Sequence, residues 1–173
     1  MHREQGIMPD LMTHLTASYL LKKAVAPRRY MVPFLLGATL PDMLTYIPLI
    51  VSGFLPLRSM PLWVNAIPFF FFPFHGIVTF TLFSWILALL FPTEARKGIF
   101  LNLELGGLLH IFMDLLQVKH GEDAGYLFFP LSGKSFALGW IETESSLYTL
   151  PFFVAAATIV LGIDLFRYRN RSH

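Results

Sequence analysis

Residues 74–92 carry no formal charge, and three further stretches come close to that: 30–52 with Asp42 alone, 98–118 with Glu104 and Asp114, and 147–166 with Asp164 near its end. A helix that crosses a bilayer needs about 20 apolar residues. The chain therefore reads as an all-α integral membrane bundle of about four spanning or near-spanning helices, in a single domain over residues 1–173. Its charged fraction of 14% falls well short of the ~25% usual in soluble domains. Pro33, Pro41 and Pro48 interrupt the 30–52 stretch. An interior proline removes one helical hydrogen bond and clashes with the preceding turn, so this helix is expected to be kinked or broken. Residues 11–24 are expected to form a shorter, amphipathic N-terminal helix with Asp10 as its N-cap.

Other classes drop out on composition. The chain has no cysteine and a net charge of +2, which excludes disulfides and thiolate metal sites and gives no electrostatic footprint for nucleic acid. Met1–Asp10 lack the basic-then-apolar order of a cleaved signal peptide. The bilayer itself is the expected partner.

Lys and Arg collect on the cytoplasmic side of membrane segments. Lys22, Lys23, Arg28 and Arg29, then Arg96 and Lys97, then Arg167, Arg169 and Arg171 fall in alternate connections. They put 22–29, 93–98 and the C-terminus inside, and the N-terminus, 53–73 and 119–146 outside; Arg58, Lys119 and Lys134 run against this. The 167–171 run is read as an inner-leaflet anchor. At 1.5 Å per residue, His14 then lies roughly 12 Å above Lys22, Asp42 at most roughly 20 Å above Arg29, and His110 roughly 18 Å above Gly98, with Asp114 a turn higher. His75 opens its segment at the outer end. Ionisable groups from four helices share one half of the membrane.

Such groups pair, line a cavity or bind ions, because an isolated charge in lipid is costly. His14, Asp42, His75, His110 and Asp114 offer nitrogen and oxygen ligands. Zinc suits this set first, then manganese or magnesium. The i, i+4 spacing of His110 and Asp114 stacks them on one helix face, which serves a metal site and a buried imidazole–carboxylate pair equally well. Gly106 and Gly107 are read as a close helix contact, and Phe69–Phe72 as lipid-facing or core filler. The Ser-Gly-His segment of phosphatidic-acid-type phosphatases, His-Glu-x-x-His, the paired glutamates of prenyl-protein proteases and Gly-x-Ser-x-Gly are all absent.

Taken in order, "MPDLMTHLTASYLL" with His14, "GATLPDMLTYIP" with Asp42, "PFHGIVTF" with His75, "LLHIFMDLL" with His110 and Asp114, and "GYLFFPLSGKSFALGW" at 125–140 resemble the bacterial membrane-bound metal-dependent hydrolases, which include the LexA-regulated inner-membrane hydrolase group. The resemblance covers residues 8–140. Leu44 replaces the second Asp of the family's Pro-Asp-x-Asp. Only His75 remains of its His-Arg-Gly-x-Thr-His, one place away from the first His when aligned on Gly76. Gln117 stands where a Thr commonly follows His-x-x-x-Asp.

The resemblance implies an inner-membrane hydrolase that uses a divalent metal ion. Through the family's distant similarity to zinc-dependent phospholipase C, it also implies ester, phosphoester or lipid substrates. His14, Asp42, His75, His110 and Asp114 are the expected metal ligands, with Asp42 and Asp114 as the catalytic carboxylates. His120, Glu122 and Asp123 are candidates for one further ligand or base, and 125–140 is expected to cover the site. Two other readings fit the same residues: a non-catalytic membrane protein with a buried polar or structural-metal network, and a small proton or cation carrier working through Asp42 and Asp114.

Overall fold

The computed structural model describes residues 7–25, 29–54, 72–117, 127–134, 136–142 and 145–170, except for the side chains of 7–10, 45–54, 72–73, 145–147 and 165. Arg58, the side chains of Phe69–Phe72, Lys119 and Arg171 lie outside the description. The described residues form α1 (Ile7–Val25), α2 (Met31–Phe54), a 3-10 turn (Phe72–His75), α3 (Ile77–Leu89), α4 (Thr93–Leu116) and α5 (Ser145–Arg169). None of them lies in a strand. The one β-bridge, Gln117 to Ile141, is isolated.

Two helices are long and apolar enough to cross a membrane, Thr93–Leu116 and Tyr148–Arg169. The other expected segments differ from the sequence reading. α3 has 13 residues, which spans only about 20 Å, because His75 and its neighbours are taken up by the 3-10 turn. α2 is helical without interruption across Pro33, Pro41 and Pro48, so the expected break is not there. Pro33 sits in the first turn, where a helical N–H has no partner anyway. α1 begins at Ile7, which leaves Asp10 inside the first turn and not at the cap. With 19 residues, α1 is also longer than the 11–24 segment.

The helices alternate in direction, as contacts at both ends of each pair show. α1 runs antiparallel to α4: His14 meets Asp114, and Lys22 Nζ donates to Asn102 Oδ1 at 2.6 Å. α2 runs parallel to α4, with Tyr30 against Gly98 and Phe34 against Gly106. α3 runs back along α4, Phe80 on Gly107 and Thr81 Oγ1 on Glu104 Oε1 at 2.7 Å. α5 packs mainly on α1 and is tied to it by the Lys23–Asp164 ion pair. Lys22, Lys23, Arg29, the start of α4 and the end of α5 therefore gather at one end of the bundle. The grouping of basic residues in alternate connections anticipates this.

Small residues set the tightest contact. A Cβ added to Gly106 would lie 2.0 Å from the Phe34 carbonyl oxygen, and one added to Gly37 would lie 2.0 Å from that of Leu103. Only glycines let these two backbones touch. Tyr30 precedes α2 with φ 62°, a left-handed conformation rarely held by a bulky residue. Its ring fills the space over Gly98, where an added Cβ would be 2.3 Å from Tyr30 Cζ.

Polarity is inverted relative to a protein folded in water. On α1 the buried residues are Thr13, His14, Thr16, Ser18 and Lys22, whereas Met12, Leu21 and Val25 are exposed. On α5 Phe152, Ile159, Leu161, Ile163 and Phe166 are all exposed. Threonine hydroxyls inside the helices bond to carbonyls a turn back, as in Thr16 to Met12 and Thr158 to Val154, so their polar atoms need no water.

Leucine placed at Gly106 should force α2 off α4 and cost at least the ~1–3 kcal/mol of an overpacked core. Leucine at Gly162, which has open space around it, should change stability by less than about 0.5 kcal/mol. Unfolding of both variants in detergent micelles, measured side by side with the parent chain, checks this; equal loss in both would contradict the close crossing.

Candidate metal centre

Four of the six described elements contribute to the site. α1 supplies His14, α2 supplies Asp42, the 3-10 turn supplies His75, and one face of α4 supplies His110 and Asp114. The structure brings all five together. His14 Nε2 lies 3.1 Å from Asp114 Oδ1. His110 Nε2 lies 3.7 Å from Asp114 Oδ2 and 3.7 Å from Asp42 Oδ1, and His75 Nε2 lies 3.6 Å from that same Asp42 oxygen. The His14 and His75 ring centroids are 4.3 Å and 5.4 Å from that of His110. The result is a chain of alternating imidazoles and carboxylates with His110 at its middle.

His110 is fixed from behind. Its Nδ1 is 2.9 Å from the Ala38 carbonyl oxygen. A carbonyl only accepts, so Nδ1 carries the proton and donates, and Nε2 keeps its lone pair. That lone pair faces the two carboxylates, and Nε2 is buried with no hydrogen-bond partner among the described residues. Asp42 Oδ2 is likewise buried without a partner there. The glycine contact makes this possible: with α2 and α4 backbone to backbone, an imidazole one turn beyond Gly106 reaches the α2 main chain.

His14, Asp42 and His110 are buried. His75 and Asp114 have 15% and 14% of their side chains exposed, and so form the mouth. The 127–142 segment closes the adjoining helix ends. The Ile77 amide, at the start of α3, donates to the Leu127 carbonyl, and the Leu138, Trp140 and Ile141 amides donate to the Leu115 and Leu116 carbonyls at the end of α4. These are helix-end groups that lack partners within their own helices. Leu127 packs with Phe80 and Ile111, while Phe128, Leu131, Phe136 and Trp140 face outward. The segment thus lies beside the mouth and brings no titratable side chain into the cluster among its described residues. His120, Glu122 and Asp123 lie outside the described residues.

Two groups of three have ligand atoms within 4.8 Å of one another and could hold a metal ion: His14, His110 and Asp114, and Asp42, His75 and His110. Sequence reasoning missed the Ala38 carbonyl, for which no side-chain signal exists. It also missed the stripe that continues from His14 along α1: Ser18 and Lys22, each four residues on, are buried with it, a spacing readable from the sequence. A separate apolar cleft of about 340 Å³ between α1, α2 and α5, lined by Met12, Leu15, Tyr19 and Leu161 among others, holds none of the five residues.

Compared with protein-family models, with curated proteins and with solved structures, the chain matches none.

Nitrogen-15 NMR of histidine-labelled protein should find His110 protonated at Nδ1 and bare at Nε2. The opposite tautomer would mean that the Ala38 carbonyl does not orient the ring.

Proposed function

We propose that the protein is a membrane-embedded hydrolase that uses a divalent metal ion, zinc before manganese or magnesium, to cleave an ester or phosphoester, with lipids as natural substrates. The observation that carries this reading is the orientation of His110. Its ring is held by a main-chain carbonyl so that a bare nitrogen lies 3.7 Å from each of two carboxylates, with two more imidazoles alongside. A hydrogen-bonded partner behind a ligating imidazole is the usual second-shell arrangement of metal sites. A divalent ion would balance the charge of Asp42 and Asp114, which is expensive to leave uncompensated in an apolar interior.

A bound divalent cation supplies Lewis acidity, which activates water and polarises a carbonyl or phosphoryl oxygen. The protein supplies the rest. Asp42 and His110 are held rigidly by burial, and Asp114 and His75, the partly exposed members of the cluster, are the side from which a substrate would reach it. The apolar exterior and the two long apolar helices support a bilayer location. The gathering of basic residues at the opposite end supports a cytoplasmic inner end and a site in the outer half of the inner membrane. The similarity of the motif order to the membrane-bound metal-dependent hydrolases points to the same chemistry.

Elemental analysis of detergent-purified protein should find stoichiometric zinc or manganese. The ion should be lost from the His110→Ala, Asp114→Ala double variant, and hydrolysis of a screened panel of ester and phosphodiester lipids should be lost with it. Absence of bound metal in the parent chain even after reconstitution would sink the hydrolase reading.

A second reading, a proton or cation carrier, is favoured by one observation. The buried polar face His14, Ser18 and Lys22 of α1 runs about 12 Å from the cluster toward the basic end, and the Ser18 hydroxyl has no hydrogen-bond partner among the described residues. On this reading proteoliposomes should show ion or proton flux that Ser18→Leu blocks; tight vesicles without such flux exclude it.

A further inference from the structure

Residues 127–134 and 136–142 carry an apolar face that the described residues leave uncovered. Leu131 and Trp140 are 80% and 75% exposed, and Phe128, Phe136, Leu138 and Ile141 are exposed with them. A contiguous apolar surface marks a contact with a partner or a membrane. The height of this face along the bundle distinguishes the two.

Two helices give that height. The segment is tied to the end of α4, where the Leu138, Trp140 and Ile141 amides donate to the Leu115 and Leu116 carbonyls. Leu116 is nineteen residues beyond Lys97 on that helix, about 28 Å along its axis. This is close to the ~30 Å of a bilayer's hydrocarbon core, so with Lys97 at the inner boundary Leu116 stands at the outer one. α3 runs down to the same basic end, and its 13 residues cover about 20 Å. Its start at Ile77 therefore falls about 10 Å short of the outer boundary. There the Ile77 amide donates to the Leu127 carbonyl at 2.9 Å. The segment fills the height between the start of α3 and the end of α4, which α3 leaves unspanned.

We propose that residues 127–142 are seated in the outer leaflet at the boundary of headgroups and acyl chains, with their exposed aromatic side chains against lipid. This inference rests on the bilayer location read above and not on the metal. Backbone chemistry sets the depth. Residues 132–134 and 136–140 are neither helix nor strand, and irregular backbone that faces lipid is not tolerated inside the hydrocarbon, where no water can satisfy it. At the headgroup boundary water is at hand, and tryptophan is enriched there. Lys134, exposed on the same segment, can lay its stem along the apolar surface and keep its ammonium among the headgroups. A contact with a second copy of the chain would not require the apolar face to lie at this height.

The placement bears on the cluster. Asp114 is two residues before Leu116 and so within about 3 Å of the same level. In a membrane lipid the ester linkages join headgroup to chain at that boundary, so the cluster meets them without lifting the lipid out of its leaflet.

The test uses the full-length chain in phosphatidylcholine vesicles whose acyl chains carry bromine, a contact quencher of tryptophan, near either the ester end or the methyl end. Of the three tryptophans, Trp63→Phe with Trp85→Phe leaves Trp140 as the emitter. Trp63→Phe with Trp140→Phe leaves Trp85, exposed on α3, as the reference for contact with lipid. Circular dichroism checks that both variants keep the helix content of the parent. Both should lose emission in brominated vesicles, and Trp140 should lose more to bromine near the ester end than to bromine near the methyl end. Trp140 unquenched by either lipid while Trp85 is quenched would overturn the proposal; added iodide then reaches Trp140 if the segment faces water, and does not if a second copy covers it. Stronger quenching of Trp140 from the methyl end would overturn it too, by placing the segment in the hydrocarbon core. If neither tryptophan is quenched, the bilayer location itself fails.

Discussion

The contact between the backbones of α2 and α4 is the constraint from which the rest follows. Gly37 and Gly106 remove the side chains that would hold the two helices apart. At this approach the Ala38 carbonyl lies within hydrogen-bond reach of an imidazole on the other helix. The bond satisfies a polar nitrogen that would otherwise be stranded in an apolar interior and at the same time aims the opposite nitrogen at Asp42 and Asp114. Packing, polar satisfaction and the presentation of a ligand atom are therefore one event.

The inverted distribution of polarity gives the fold its division of labour. α1 turns histidine, serine and lysine inward and methionine, leucine and valine outward, so its inward face is polar and brings His14 to the cluster. Among the described residues the buried apolar side chains form two clusters, Phe80, Ile111 and Leu127 near His110, and Ala88, Ile99 and Leu103 toward the basic end. Between and beside these clusters the helices meet through small residues and polar contacts such as Thr81 with Glu104 and Lys22 with Asn102.

Much of the site was legible in the sequence because a long apolar run makes each ionisable residue within it conspicuous. The common depth of His14, Asp42, His75, His110 and Asp114 followed from helix rise and the positions of the basic residues, and the five meet. Gly106 and Gly107 read correctly as a close contact. Element limits read less well. Proline in α2 suggested a break, but the helix runs on through all three prolines, as helices do where neighbouring elements re-satisfy the freed backbone groups. Asp10 looked like a cap because capping residues also occur inside first turns, where a negative charge suits the helix dipole. The segment at 74–92 looked like a span because hydropathy does not register where the helical dihedrals start. The Ala38 carbonyl was illegible in principle: every residue has one, and only the geometry selects it.

Tyr30 gives the α2–α4 pair a property beyond affinity. Its ring on Gly98, the Gly37–Gly106 crossing and the Ala38–His110 bond form a row of matched features along two parallel helices. Sliding α2 by one turn, about 5.4 Å, would take the Tyr30 ring off Gly98 and the Ala38 carbonyl off His110 at once. The pair behaves as a keyed joint that admits one alignment and no graded neighbours of it. The orientation of the central imidazole is accordingly all-or-none: the bundle either assembles with that nitrogen aimed at the carboxylates or does not assemble this interface.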